Sequence, residues 1–203
     1  MTVRSVKNYK MAPRTEEQFE VIREEKRKLI KSAALELFAN EGFYPTSISQ
    51  IAKNAGISKG LIYNYFESKE ELIKEIIFDG FDEILKGFDP NRDGFLTKEE
   101  FIFFIDETFR TIEQNINFWR LYFTIIFQPG VMKLVEHRFL EMLSSFMEVL
   151  NGFLKRSGSV NPEADARLFG ALLDGVSLHY VLDPEHFPLE EVKHKIIELF
   201  IKD

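Results

Sequence analysis

Oxygen-bearing side chains recur in the segment DPNRDGFLTKEE, residues 89–100, in a pattern suited to a hard cation. Asp, Asn and Asp occupy the first, third and fifth positions, Gly the sixth and Glu the twelfth. This is the spacing of an EF-hand loop, in which carboxylate, amide and carbonyl oxygens surround Ca²⁺. The candidate calcium ligands are Asp89, Asn91, Asp93, Phe95 (through its carbonyl), Thr97 and Glu100.

The same segment also fits a simpler structure without metal. Asp, Asn and Gly favour turns, and Thr97 with Glu100 matches the capping box that opens many helices. The Asp-Asn-Asp spacing together with Gly94 and Leu96 is not explained in this way. EF-hands usually occur in pairs, however, and only one such loop is present. Calcium binding is therefore a hypothesis; an ion here could set the angle between the flanking helices.

A second group of polar side chains lies in residues 46–66, TSISQIAKNAGISKGLIYNYF, and is suited to phosphates and base edges. Two short helices joined by a glycine-containing turn form a helix-turn-helix, which places its second helix in the DNA major groove. The aliphatic and small residues of this segment would pack the two helices together. Facing outward would be Ser47, Ser58, Lys59, Gly60, Tyr63, Asn64 and Tyr65.

The elements that position these residues all carry a helical hydrophobic period, so the sequence predicts an all-α protein of about nine helices. The first helix is expected from about Thr15 to Asn40, and the second is capped by Thr46 or Ser47. The remaining helices are expected at about 59–66, 68–88, 97–115, 117–127, 130–156, 162–181 and 188–202.

Composition and charge exclude several classes of protein. The 203 residues include no Cys, so disulfides, thiolate zinc sites and a cysteine nucleophile are excluded. Without an apolar run near 18 residues or an N-terminal apolar segment, we expect a cytoplasmic protein without membrane spans. The net charge is −7, but residues 1–80 contain 13 basic and 12 acidic residues against 13 and 21 in the remainder. The N-terminal part is therefore compatible with phosphate binding.

Residues 27–78 resemble the TetR (tetracycline repressor) family of bacterial transcription regulators. The most specific pieces are ALELFANEGF, the helix-turn-helix block quoted above and SKEEL. The resemblance implies a homodimer with a three-helix DNA-binding head and a helical ligand-binding core. It also implies DNA-backbone contacts for Thr46 and Ser47, a recognition helix that begins at Ser58, Lys59 and Gly60, DNA contacts for Tyr63 and Tyr65, and a phosphate contact for Lys69.

The resulting domain organisation has three parts. Residues 1–22 form an N-terminal arm and the start of the first helix, 23–82 the DNA-binding domain with its helix-turn-helix at 47–66, and 83–203 the ligand-binding and dimerisation domain. Residues 1–14 could reach a minor groove as homeodomain arms do. They could equally be disordered, as many chain termini are.

The C-terminal half is rich in aromatic residues, which predicts an apolar pocket between helices for a hydrophobic or aromatic effector. Any single ring could instead belong to the core. The candidate pocket residues are Phe104, Phe109, Trp119, Tyr122, Phe123, Phe127 and Phe146. The last two helices carry broad apolar faces and are expected to form a four-helix dimer interface.

Catalysis has little support, because the sequence contains no phosphate loop, nucleophile elbow or clustered histidines. We therefore predict a ligand-responsive transcriptional regulator, a repressor that binds a palindromic operator as a homodimer, and not an enzyme. The alternative is a calcium-binding helical protein in which the loop 89–100 is the functional centre.

Overall fold

The computed structural model describes residues 15–201, which form nine α-helices and no β-strand. The prediction of an all-α fold with about nine helices is confirmed. In chain order the helices are α1 (Glu16–Glu41), α2 (Ile48–Asn54), α3 (Lys59–Ile62), α4 (Lys69–Leu85), α5 (Lys98–Gln114), α6 (Ile116–Ile126), α7 (Val131–Arg156), α8 (Pro162–Leu182) and α9 (Leu189–Phe200). The predicted arm at residues 1–14 lies outside the described residues.

Side-chain caps fix where several helices begin. Three of them open with a reciprocal capping box: Thr15 with Gln18 at α1, Ser47 with Gln50 at α2, and Thr97 with Glu100 at α5. At α4 the hydroxyl of Ser68 accepts from the N–H of Glu71, but the Glu71 carboxylate accepts from the N–H of Glu67. Each cap satisfies backbone donors that the first helical turn leaves unpaired.

Two helices end earlier than the sequence predicts. Helix α3 stops at Ile62 because the N–H groups of Asn64 and Tyr65 donate to carbonyls only three residues back, at 3.2 and 2.9 Å. This tighter turn brings Phe66 into the core. Helix α4 stops at Leu85, and the predicted extension to Phe88 is a turn.

The N-terminal head packs α1, α2, α3 and the first part of α4 around one apolar cluster. Its buried members include Ile30, Phe38, Ile51, Ile62, Leu72 and Ile73. Three ion pairs join α1 to α4 at the edge of this cluster: Arg27 contacts Glu75, and Lys31 contacts both Glu75 and Asp79. The head and α4 are therefore held together by both apolar burial and paired charges.

Helices α5 to α9 enclose a second apolar cluster built largely from phenylalanine. Phe101 stacks on Phe153 with ring centroids 4.7 Å apart and contacts Phe169 at 4.8 Å. The two clusters meet at the turn between α6 and α7, where Ile125 and Val131 belong to the head cluster. None of the helices in residues 15–201 is long and apolar enough to cross a membrane.

Candidate functional site

Helices α2 and α3 form the predicted helix-turn-helix. Ile51, Ala52 and Ile62 are buried between the two helices and α1. The turn is closed by Ile57, whose N–H donates to the Ala52 carbonyl at 2.9 Å. Gly56 has a φ of 65°, a left-handed conformation that glycine adopts without steric cost. The local fold therefore fixes α3 rigidly against the head.

One surface of this motif exposes most of the residues predicted to contact DNA. The exposed set contains Ser47, Ser58, Lys59, Gly60, Tyr63 and Asn64. Ser58 caps α3 by accepting from the N–H of Leu61 at 3.2 Å, which leaves its hydroxyl hydrogen free to donate. No atom lies within 4 Å of a Cβ placed at Gly60, so this side of α3 is open. Hydroxyl, ammonium and amide groups on one open surface match the chemistry of phosphates and base edges.

Three other residues predicted to contact DNA have different surroundings. Thr46 is buried, and its hydroxyl donates to the Gly42 carbonyl at 2.7 Å, so it closes a turn inside the head. The Lys69 ammonium donates to the carbonyls of Phe43, Tyr44 and Thr46 at 2.8 to 3.1 Å. Tyr65 is half-buried against the head cluster. Thr46 and Lys69 thus hold together the loop before α2, and their contacts with DNA stay a prediction.

Sequence reasoning missed two exposed residues on the head. Lys53 lies in the last turn of α2 with its side chain in solvent, and its positive charge within the helix-turn-helix was the signal that could have found it. Tyr44 precedes α2 and is also exposed, and its ring contacts Gly130 in the turn between α6 and α7. The sequence around Tyr44 carries no signal for this contact, because it joins residues 86 positions apart.

The C-terminal core contains a cavity of about 280 Å³ between α4, α5, α6, α7 and α8. Six of the seven predicted pocket residues line it: Phe104, Trp119, Tyr122, Phe123, Phe127 and Phe146. The seventh, Phe109, lies outside this lining and is fully buried in the core. The cavity also touches α4 at Gly80, Phe81 and Ile84, so it borders the helix that carries the head.

A few polar groups interrupt this apolar lining. Thr108 and Ser177 are buried, and Asp174 projects from α8. Asp174 remains accessible to solvent, yet the protein atoms around its carboxyl group desolvate it and raise its pKa. Burial, together with the nearby charges of Asp174, Asp82 and Asp79, raises the pKa of Tyr122. The cavity is therefore apolar, with one acidic side chain, Asp174, in its lining.

The loop at 89–100 contains a network of side-chain hydrogen bonds. The Asp89 carboxylate accepts from the N–H of Gly94 at 2.9 Å, and the Asn91 amide donates to Asp93 and Glu100 at 3.1 and 3.2 Å. Phe95 is exposed, and its ring lies under the Arg156 guanidinium. Thr97 and Glu100 form the capping box of α5. No group of three or more acidic or histidine side chains between residues 15 and 201 is placed to hold a metal ion.

Comparison with known proteins identifies the head first. Residues 30–76 match the family model described as bacterial regulatory proteins, tetR family. The fatty acid metabolism regulator protein of Bacillus subtilis (strain 168) is 23% identical over 181 residues, which cover 85% of this chain and 92% of that protein. The relative is thus similar along both the head and the core.

Solved structures share the fold over the same span. NalD of Pseudomonas aeruginosa, the secondary repressor of the MexAB-OprM multidrug efflux pump, superposes with a TM-score of 0.67 at 22% identity, covering 87% of this chain and 96% of that one. FadR of Bacillus subtilis in complex with stearoyl-CoA gives 0.66 at 20% identity, covering 86% and 97%.

None of these comparisons supports a protein centred on calcium binding, and the relatives described are regulators rather than enzymes. The helix-turn-helix, the cavity beside α4 and the family match agree with one another. Residues 30–76 are thus a DNA-binding domain of the tetR family of bacterial regulatory proteins, and the chain as a whole shares its fold with transcriptional regulators.

Proposed function

We propose that the chain is a ligand-responsive repressor that binds a palindromic operator as a homodimer and leaves it when a hydrophobic effector enters the core. The observation that carries this proposal is the position of the cavity, which is lined by α4, the helix that begins at the DNA-binding head. An effector that fits one orientation of α4 better than another would shift the population between DNA-binding and released states.

Tyr122 supports a direct connection between the cavity and α4. Its ring lines the cavity, and its hydroxyl donates to the Ile77 carbonyl on α4 at 2.8 Å. A Cβ at Gly80 would lie 2.2 Å from this ring, so only glycine permits such a close approach. An effector that moved the Tyr122 ring would therefore push on α4 itself.

Gln128 supports a second connection, at the turn between α6 and α7. Its neighbour Phe127 lines the cavity. The Gln128 amide donates to the Phe38 carbonyl at 2.6 Å and accepts from the N–H of Phe43 at 2.8 Å. Both partners are backbone groups of the head, so a change at Phe127 reaches the head through one residue.

The effector is expected to be largely apolar. The cavity is enclosed by phenylalanine, methionine and leucine side chains, and burial of apolar area is the main favourable term in such a site. The solved FadR structure, which shares this fold, contains stearoyl-CoA, a molecule with a long hydrocarbon chain. A lipid-like or aromatic compound is therefore the class to test.

The proposed dimer interface is the outer face of α8 and α9. Leu168 and Leu182 on α8 are 49% and 65% exposed, and Leu199 on α9 is 59% exposed. Ala171 and Gly175 lie between the two α8 leucines and would allow close approach of a partner helix. Because leucines rarely remain so exposed in line along one face, a second copy of this chain is the occupant we propose.

The operator can be selected from random double-stranded DNA and the affinity measured by fluorescence anisotropy at several salt concentrations. Lys59→Gln is expected to weaken operator binding about tenfold and to reduce the salt slope by about one phosphate contact. Lys98→Gln, an exposed lysine on α5, is the matched control and should bind like the wild type. Equal affinities for both variants would contradict the placement of the interface on α3.

We also propose a calcium site at 89–100 as a secondary function. The supporting observation is that the Asn91 amide donates to the carboxylates of both Asp93 and Glu100. A cation bound between these two carboxylates would neutralise them. Arg156 supports the loop by donating to the Leu96 carbonyl at 3.0 Å. To serve as a bidentate ligand, Glu100 would have to release the N–H of Thr97.

Calorimetric titration with Ca²⁺ tests this site. The wild type should give saturable heat that Glu100→Gln abolishes, whereas Glu99→Gln, which removes a neighbouring exposed charge, should bind normally. Absence of heat would reduce the segment to a turn followed by a capped helix. If Ca²⁺ binds, operator affinity measured with and without the ion tells whether the site regulates DNA binding.

A further inference from the structure

The polar groups in the wall of the cavity lack partners within the protein. Thr108 is 3% exposed, and its hydroxyl oxygen has no hydrogen-bond partner among residues 15–201. The Asp174 carboxylate, on the facing helix α8, takes part in none of the hydrogen bonds or ion pairs found in that range. Because a buried hydroxyl without a partner costs free energy, such a group in a ligand cavity indicates a missing partner.

Asp174 is the one charged side chain in the lining of the cavity. Tyr122 experiences the negative charges of Asp174, Asp82 and Asp79. The cations on that side are engaged elsewhere: Lys31 pairs with Asp79, and Arg138 lies 3.8 Å from Asp82 with its guanidinium over the Phe78 ring. No basic side chain lines the cavity itself. An anionic head group would therefore meet repulsion, and a cationic one attraction.

Aromatic rings add a second attraction for a cation. Trp119, Tyr122 and Phe123 present their rings to the same cavity. A positive charge near the face of such a ring is stabilised by the ring quadrupole, most strongly by tryptophan and where water is excluded. Carboxylate, hydroxyl and ring faces in one apolar cavity are complementary to an ammonium group on a hydrocarbon body.

We infer that the effector is a lipophilic amine, bound through its protonated nitrogen by Asp174 and Thr108 while its apolar body fills the aromatic cavity. The ammonium donates to the Asp174 carboxylate, which neutralises its charge, and to the Thr108 hydroxyl oxygen, which thereby gains the partner that it lacks. This inference rests on the proposed function, because it assigns a head-group chemistry to the proposed effector cavity. It distinguishes this chain from a regulator that takes an anionic acyl compound.

Three probes with the same hydrocarbon chain test this inference: dodecylamine, dodecanol and dodecanoate, each below the concentration at which micelles form. An alkyl ammonium stays charged at pH 7, as a lysine side chain does. Trp119 is the only tryptophan of the chain and lines the cavity, so its fluorescence reports binding. We expect dodecylamine to bind at least tenfold more tightly than dodecanoate, with dodecanol between them.

Variants connect the preference to the named residues. Asp174→Asn should lower the affinity for dodecylamine to that for dodecanol. Thr108→Val should weaken dodecylamine binding severalfold, because valine has nearly the shape of threonine and removes only the hydroxyl group. Glu163→Gln, which removes one negative charge from the exposed start of α8, should leave the order of affinities unchanged. The last variant separates a contact with Asp174 from a general effect of net charge.

Each result has a definite meaning. Equal affinity for all three probes, tighter binding of dodecanoate, or an unchanged preference in Asp174→Asn would overturn the cationic head group and leave the hydrophobic cavity standing. If none of the probes changes the Trp119 signal, the lipophilic amine and the proposed hydrophobic effector fail together. Release of operator DNA is then measured separately with the probe that binds.

Discussion

At the scale of single residues, the Lys69 ammonium has its three hydrogen-bonding directions committed to the backbone of the loop before α2. Its charge also lies over the Phe43 ring at 4.5 Å. A carbonyl that loses such a donor inside the head is left partly unsatisfied, and the free energy of that loss belongs to folding rather than to DNA binding.

Lys69→Met is therefore expected to lower the free energy of unfolding by about 1 to 3 kcal/mol, measured by urea denaturation. Lys53→Met, at an exposed lysine of the same head, should change it by less than about 0.5 kcal/mol. If Lys69→Met kept full stability but reduced the salt slope of operator binding, Lys69 would act on a DNA phosphate, as the family resemblance implies, and not in folding.

Asp174 gives a prediction with a definite pH dependence. Burial raises the pKa of this carboxyl group, so the folded state holds the proton more tightly than the unfolded state does. Ionised Asp174 therefore lowers stability above its folded-state pKa, and this penalty disappears as the pH falls through that value towards the unfolded pKa of about 3.9.

Thermal unfolding of Asp174→Asn against the wild type, between pH 4 and 8, checks this. The variant should be the more stable protein near neutral pH, and the difference should shrink at the acidic end. Glu163→Gln serves as the control and should show no such trend. A variant that is less stable than the wild type at pH 7 would mean that the carboxylate has a partner.

At the scale of elements, the sequence predicted those features that local chemistry determines. Ser47 and Thr97 cap the helices that the sequence predicted them to cap, because each cap involves residues only three positions apart. The burial of Thr46 depends on the path of the chain after α1, so the sequence did not predict it. Thr108 and Asp174, which face one cavity from α5 and α8, carry no mutual signal in the sequence.

The turn between α6 and α7 is the element that joins the core to the head, and Gln128 carries its hydrogen bonds. Gln128→Ala should leave the Phe43 N–H without its acceptor, so amide hydrogen exchange at Phe43 should accelerate. Gln128→Glu keeps the acceptor and loses only the donor to Phe38, and it should protect the same amide.

Gln114→Ala, at an exposed glutamine of α5, is the control for glutamine removal and should leave exchange at Phe43 unchanged. Equal protection of this amide in Gln128→Ala would mean that the connection between the two apolar clusters does not depend on this side chain.

At the scale of the whole molecule, the exposed leucines of α8 and α9 predict the oligomeric state. Leu182→Glu should convert the dimer to a monomer in sedimentation velocity, because it places a charge in an apolar interface. Operator affinity should fall with it, since two heads bind a palindrome together. Val160→Glu makes the same change at a valine that is almost fully exposed outside both helices. A dimer that survives Leu182→Glu would place the interface elsewhere.

The three ion pairs between α1 and α4 have a mechanical consequence. They fasten the head to α4 up to Asp79, and the next residue is Gly80, where Tyr122 from the cavity touches the helix. The head and the first three turns of α4 thus act as a lever whose pivot lies at Gly80. With a rise of 1.5 Å per residue, the arm from Gly80 back to Lys69 is roughly 17 Å, and a tilt of about 5° displaces its far end by about 1.5 Å. A small displacement of the Tyr122 ring is thereby amplified at the DNA-binding surface of the head. In a dimer, the heads of both subunits would move.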